Sequence, residues 1–272
     1  MTNSYYIEGP ACISFSGGRT SAYMLRQILD AHGGTLPPDV HVIFANTGKE
    51  RPETLDFVHE CGNRWGVQVR WVEWQRELPR WREVNYATAS RNGEPFDGLI
   101  AWKQYLPNPF QRLCTQHLKI ETMKRFIRTS LGLERWTTVV GIRYDEPRRW
   151  RILGQDKRNT REFKVGPLVT ATVNEDHVMK FWAAQPFDLS LSQGEGNCDL
   201  CFLKATAIKE RIIRKRPDLA EWWAGHEAIN GDRRRLWRVT GASYAQMIDR
   251  AKRQLPLFPD LNESEPDCAC TD

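Results

Sequence analysis

A chain of 272 residues with 40% hydrophobic content can bury one sizeable core, or a core with a smaller appendage. Its net charge of +5 suits an anionic ligand such as a nucleotide and permits nucleic acid, though a solvated basic surface accounts for it equally well. No apolar run approaches the roughly 20 residues needed to cross a bilayer, and the first ten residues lack the basic and apolar regions of an export signal, so a cytoplasmic chain with no membrane partner is expected. Seven cysteines in such a chain argue against a disulfide framework and toward metal, cluster or redox chemistry.

Residues 11–16 form a short apolar run that ends at Ser16-Gly17-Gly18, and Ala22, Leu25, Ile28 and Leu29 follow at helical spacing. His41–Ala45 reads as a second buried strand ending at Asn46-Thr47-Gly48. A helix then starts near Pro52, with Leu55, Val58, Cys61 and Trp65 on its inner face. Val67–Val72 is a third strand. Residues 75–113, with Trp81 and Trp102, read as a long insertion over the sheet edge. Helix returns around Ile120–Ser130, Trp136–Gly141 is another buried strand, and residues 142–161 are polar and dense in arginine. Val165–Val169 reads as extended, Glu175–Ala184 as a helix, and Lys204–Arg216 as a basic helix. The alternation predicts an α/β fold: a doubly wound parallel sheet flanked by helices, with a small C-terminal helical extension. The expected division is a nucleotide-binding domain over 1–203, a basic helical extension over 204–254, and a flexible tail over 255–272 that carries Cys268 and Cys270.

Two features carry chemistry. The segment Ser16-Gly17-Gly18-Arg19-Thr20-Ser21 lies between a strand and an amphipathic helix. Its glycines let the backbone approach an anion, and its hydroxyls, Arg19 and the free N–H groups of the helix start can hold phosphate. The second is Cys198-Asp199-Leu200-Cys201, a pair able to supply two thiolates to one centre, with Cys114 as the natural third ligand. His117 is either a fourth ligand or a surface residue at a helix start. Cys12 and Cys61 read as core residues.

These motifs, in this order from about Cys12 to Lys204, resemble the phosphoadenylyl-sulfate (PAPS) and adenylyl-sulfate reductases of the adenine-nucleotide alpha-hydrolase superfamily. The resemblance rests on Ser16–Ser21; on Phe44–Gly48 followed by Arg51-Pro52-Glu53-Thr54; on Cys114 with Lys119; on Gly141-Ile142-Arg143; on Lys164–Leu168; and on Cys198 with Cys201. It implies a loop binding the phosphate or sulfate groups of PAPS, adenylyl sulfate or ATP, with Asn46, Thr47, Gly48 and Gly141 near the nucleotide. It also implies that Arg143 holds anionic groups and that Cys114, Cys198 and Cys201 hold a 4Fe-4S cluster, with zinc as the alternative. The implied reaction is reductive sulfur chemistry on a sulfonucleotide, with Cys268 or Cys270 as nucleophile and a thioredoxin-like reductant as partner. The alternative is a sulfur transferase, ATP-dependent or cluster-mediated, that modifies tRNA or DNA, for which Lys204–Arg216 and Arg233–Arg235 would track phosphates.

Three departures stand out. Thr115 occupies the place of a second adjacent cysteine, Thr20 stands where ATP-cleaving relatives carry an aspartate, and the terminal Asp-Cys-Ala-Cys differs from the reductases' Glu-Cys-Gly.

Overall fold

The computed structural model describes residues 3–153, 161–230, 237 and 241–253. Its centre is a six-stranded sheet in the order β4-β3-β2-β1-β5-β6. The strands are β1 (Ala11–Ser14), β2 (Val40–Asn46), β3 (Val69–Glu73), β4 (Arg82–Val84), β5 (Trp136–Val139) and β6 (Glu162–Val165). All pair in parallel except β4, which runs antiparallel to β3. All four residues of β1 are buried, as expected of a strand covered on both faces.

One face of the sheet is closed by α1 (Arg19–Ala31), α2 (Pro52–Trp65) and, after α3 (Glu94–Lys103), α4 (Thr122–Thr129), α5 (Pro147–Leu153) and α6 (Pro167–Thr170), by α7 (Glu175–Ala183). Ile13 and Phe15 pack there with Leu25, Ile28, Val58, Val178 and Trp182. On the other face Cys12, Ile43, Val72 and Trp136 meet Phe126 and Ile127 of α4. Helices on both faces make the sheet doubly wound, as the alternation predicts. Cys12 and Cys61 lie in these cores.

The chain departs from expectation in three places. Residues 75–113 contain β4 and α3 rather than loop alone. The last strand comes earlier than expected, at Glu162–Val165; residues 167–170 are a helical turn because Pro167, with no N–H to lose, starts it. Cys114 opens a π-helical segment, Cys114–Glu121, that runs directly into α4, rather than lying in a loop ahead of it.

After α7 the chain forms α8 (Thr206–Lys215), α9 (Asp218–Asn230) and α10 (Tyr244–Lys252). These helices share one buried apolar cluster with α3 and the π-helical segment: Phe96, Leu118, Phe202, Ile213, Trp223, Trp237 and Met247 are all in it. The expected basic helix is therefore two-faced, with Ile212, Ile213, Lys209 and Glu210 buried.

Candidate functional site

The strand order reverses at β1: the chain leaves it for β2 and β3 on one side, then returns to β5 on the other. Ligands of open α/β sheets sit at the carboxyl ends of the strands at such a switch point. Both expected anion-binding segments are there. Ser16–Ser21 follows β1, and Gly141–Arg143 follows its neighbour β5.

Gly17 turns the loop with φ of +79°, and a Cβ there would lie 2.8 Å from Thr54 Cγ2 and 3.2 Å from Phe44 Cε2. No side chain caps the start of α1, so the positive end of the helix is open to an anion. The hydroxyls of Ser16 and Ser21 are 2.9 Å apart, and Ser21 donates to the carbonyl of Gly18 at 3.0 Å. Arg19 points elsewhere. Its guanidinium grips both carboxylate oxygens of Asp188 at 2.8 Å and the carbonyls of Leu189 and Leu191. Its charge anchors the 188–191 segment.

Gly141 lets β5 approach α1: a Cβ would sit 3.0 Å from Ser21 Cα. Arg143 lies two residues on, with Nη1 3.5 Å from the Thr20 hydroxyl, Nε 2.9 Å from Asp145 and Nη2 3.5 Å from Glu175. Burial works against its charge, but Glu146, Asp145 and Glu175 outweigh it and hold the guanidinium more firmly protonated than usual.

At the end of β2, Asn46 is fully buried. It donates to Glu73 at 2.6 Å and to the Ser90 carbonyl at 2.9 Å, and accepts from the Gly48 N–H at 3.1 Å. Glu73, also fully buried, is held by Arg82 at 2.6 Å and by the N–H and hydroxyl of Ser90. Thr47 donates its hydroxyl to Glu50 at 2.8 Å, and that same oxygen is 3.6 Å from the sulfur of Cys198. Lys119 Nζ lies 3.7 Å from Glu50.

Cys114, Cys198 and Cys201 are all buried and belong to one apolar layer. Among the described residues, no three Cys, His, Asp or Glu side chains are assembled as a closed metal-binding set. In number, burial and thiol chemistry the three cysteines suit iron–sulfur ligation; they share a layer without being preformed as ligands. His117 is buried rather than a surface cap, because the π-helical turn faces it inward, where Nδ1 pairs with Glu121 at 2.9 Å and the ring meets Trp102 edge-on. Cys268 and Cys270 lie outside the described residues, as do Arg233–Arg235.

Sequence reasoning passed over Lys49, Glu50, Glu73 and Asp199, all buried and charged. A Lys-Glu pair directly after a strand-end glycine and a glutamate closing β3 were the available signals. A narrow gap of about 30 Å³, room for little more than a water, also lies on the α4 side of the sheet, lined by Ser14, Ile43, Thr138, Val140, Lys164 and neighbours. Ser14 and Val140, in its lining, stand just ahead of Ser16–Ser21 and Gly141–Arg143.

A model of the phosphoadenosine phosphosulfate reductase domain matches residues 10–186. An uncharacterised nin region protein of Escherichia phage lambda is 32% identical over 206 residues, covering 71% of this chain and 66% of that protein. An uncharacterised protein of Methanocaldococcus jannaschii is 26% identical over 230 residues, covering 82% of this chain and 42% of its own length. The chain thus spans 66% and 42% of the length of these two relatives. Among solved structures, a PAPS reductase from Candida auris in a phosphate complex aligns with a TM-score of 0.41 and 17% identity, over 66% of this chain and 76% of that one. The U34-tRNA thiolase of Methanococcus maripaludis with its 4Fe-4S cluster aligns with a TM-score of 0.39 and 12% identity, over 93% and 74%. With the family model matching well over half its length, the chain belongs to the phosphoadenosine phosphosulfate reductase domain family, within the adenine-nucleotide alpha-hydrolase superfamily.

Proposed function

We propose that this chain is a sulfonucleotide reductase-like enzyme that holds an adenine nucleotide at the β1–β5 switch point, beside a three-thiolate 4Fe-4S centre. One observation carries the reading: Thr47 lies at the end of β2, beside the phosphate loop's own strand, and its hydroxyl is 3.6 Å from Cys198. Nucleotide end and thiol layer meet at one residue.

In this reading the phosphate or sulfate groups rest on the open start of α1 and the hydroxyls of Ser16, Thr20 and Ser21, with Arg143 offering its guanidinium. Asn46 and Gly48 keep the β2 end in shape. A cluster on Cys114, Cys198 and Cys201 would leave one iron without a protein thiolate, a Lewis-acidic position able to bind an anionic oxygen or sulfur. The thiolate of Cys268 or Cys270 attacks the sulfate sulfur. An S–S bond forms, the S–O bond to the nucleotide breaks, and the nucleotide leaves with its electron pair. A dithiol reductant then attacks the enzyme sulfur, is oxidised to a disulfide, and releases sulfite.

Incubation with sulfur-labelled PAPS and adenylyl sulfate tests this. Label trapped on the terminal peptide and released as sulfite by a dithiol is expected. An iron-loaded protein that traps no label overturns the reductase reading. Transfer of sulfur to tRNA or DNA by that same protein would establish the alternative, which Thr115 in place of a second cysteine favours because one iron is then left without a protein thiolate.

A further inference from the structure

We propose that Asp199 is a positioning residue: with Lys49 it locks the Cys198–Cys201 loop to the end of β2, and α9 and α10 hold that lock shut. The inference rests on the thiol layer proposed above and concerns the means by which this chain aligns it.

Asp199 sits inside the cysteine pair and is 3% exposed, so its carboxylate must find every partner within the protein. One oxygen pairs with Lys49 Nζ at 2.9 Å. The other accepts from the Trp223 indole N–H at 2.8 Å and from the Leu200 N–H at 2.6 Å. Its own N–H donates to the Lys49 carbonyl at 2.7 Å, and Glu50 bridges Cys198 as a short antiparallel contact. Residues 49–50 and 198–199 are therefore laced together by backbone and by charge, next to Thr47. The helices complete the grip. Tyr244 of α10 donates its hydroxyl to the Leu200 carbonyl at 2.6 Å, and Trp222 of α9 lies under Lys49 with Nζ 4.8 Å from the ring centre.

A buried ion pair contributes little net stability, because desolvation offsets the attraction. What it contributes here is a single geometry: a two-residue gap between two cysteines is short, and locking its first inner residue restricts both thiols.

The test uses the whole 272-residue chain, reduced and iron-free, and five variants: Asp199→Asn, Asp199→Glu, Lys49→Met, Trp223→Phe and Tyr244→Phe. Tyr244→Phe removes only a hydroxyl donor and keeps the apolar volume, whereas Trp223→Phe removes a donor together with part of a buried ring. Maleimide labelling rates are read at Cys198 and Cys201 by peptide mapping, with buried Cys61 of α2 as internal reference. Labelling of the loop thiols is expected to accelerate about tenfold, as loss of a buried charge-assisted bond opens a local segment, while Cys61 changes less than about twofold. Asp199→Glu is expected to restore much of the wild-type rate. Loop thiols that label at the wild-type rate in Trp223→Phe and Tyr244→Phe, or a parallel rise at Cys61 in every variant, overturn the inference. Wild-type protein that takes up no iron on anaerobic reconstitution overturns the proposed cluster alone, and leaves the labelling result to judge the lock.

Discussion

The Ser16–Ser21 loop follows β1 and the cysteine layer reaches Thr47 just past the neighbouring β2, yet the two are built in opposite ways. The loop is local. Six consecutive residues turn on one glycine, its hydroxyls bond to each other and to its own backbone, and the nearest arginine is turned away to an acid. The cysteine layer is assembled from three distant stretches of chain, closed by buried charges and aromatic donors. The contrast suits the two tasks proposed for them: an anion that comes and goes needs open N–H groups and little reorganisation, whereas thiols drawn onto one centre need a scaffold that keeps them close.

The sharpest way to break that comparison is Gly17→Ala. The residue would carry a side chain at positive φ and press on Thr54 and Phe44. A loss of about 3 kcal/mol in urea unfolding and abolished nucleotide binding are expected. An unchanged midpoint would show that the loop is not backbone-limited. Next is Cys114→Ala, in which iron per chain after reconstitution is expected to fall by more than half while unfolding shifts by only about 1 kcal/mol, because the site is already apolar. Equal losses of iron and stability would mean that the cysteine is merely core. Arg143→Lys is expected to weaken nucleotide binding about tenfold in isothermal titration, since a point charge cannot reproduce the planar fork that spans Thr20, Asp145 and Glu175.

The smallest effect concerns pH. Burial holds the carboxyls of Glu210 and Glu227 above the usual range. The folded state therefore binds those protons more tightly than the unfolded chain. Their contribution is fully present below the ordinary carboxylate value and is lost as pH rises through the raised one. Glu227 accepts the Tyr244 N–H at 2.8 Å at the start of α10. Glu227→Gln is expected to flatten the decline in unfolding free energy as pH rises above the ordinary carboxylate range, by less than about 1 kcal/mol.

The same asymmetry governs what could be read from the sequence. Strands β1 and β2, the helix after Ser16–Ser21 and the doubly wound sheet were legible, because a strand–glycine–helix pattern is local and periodic. Arg19 was legible as a charge but not as the partner of Asp188, 169 residues away. Glu73 and Asp199 look like ordinary surface acids, since nothing in a linear pattern shows that Arg82 and Lys49 will meet them in the interior. The π-helical segment was missed for a related reason: its residues are compatible with an ordinary helix, and only packing against the sheet selects the wider turn.

That wider turn has a consequence for how the segment tolerates change. Each π turn takes up one more residue than an α turn, so positions five apart come round to the same side. Cys114 and Lys119 are five apart, and the cysteine reaches the thiol layer while the lysine reaches Glu50. Deleting any one residue between them would tighten the coil to an ordinary α-helix, where positions four apart share a face, so the pair would stay on one side. Replacements within Thr115–Leu118 preserve the register, and so does a deletion that restores the α turn; a single-residue insertion there carries the lysine about 100° away from the thiol without touching either.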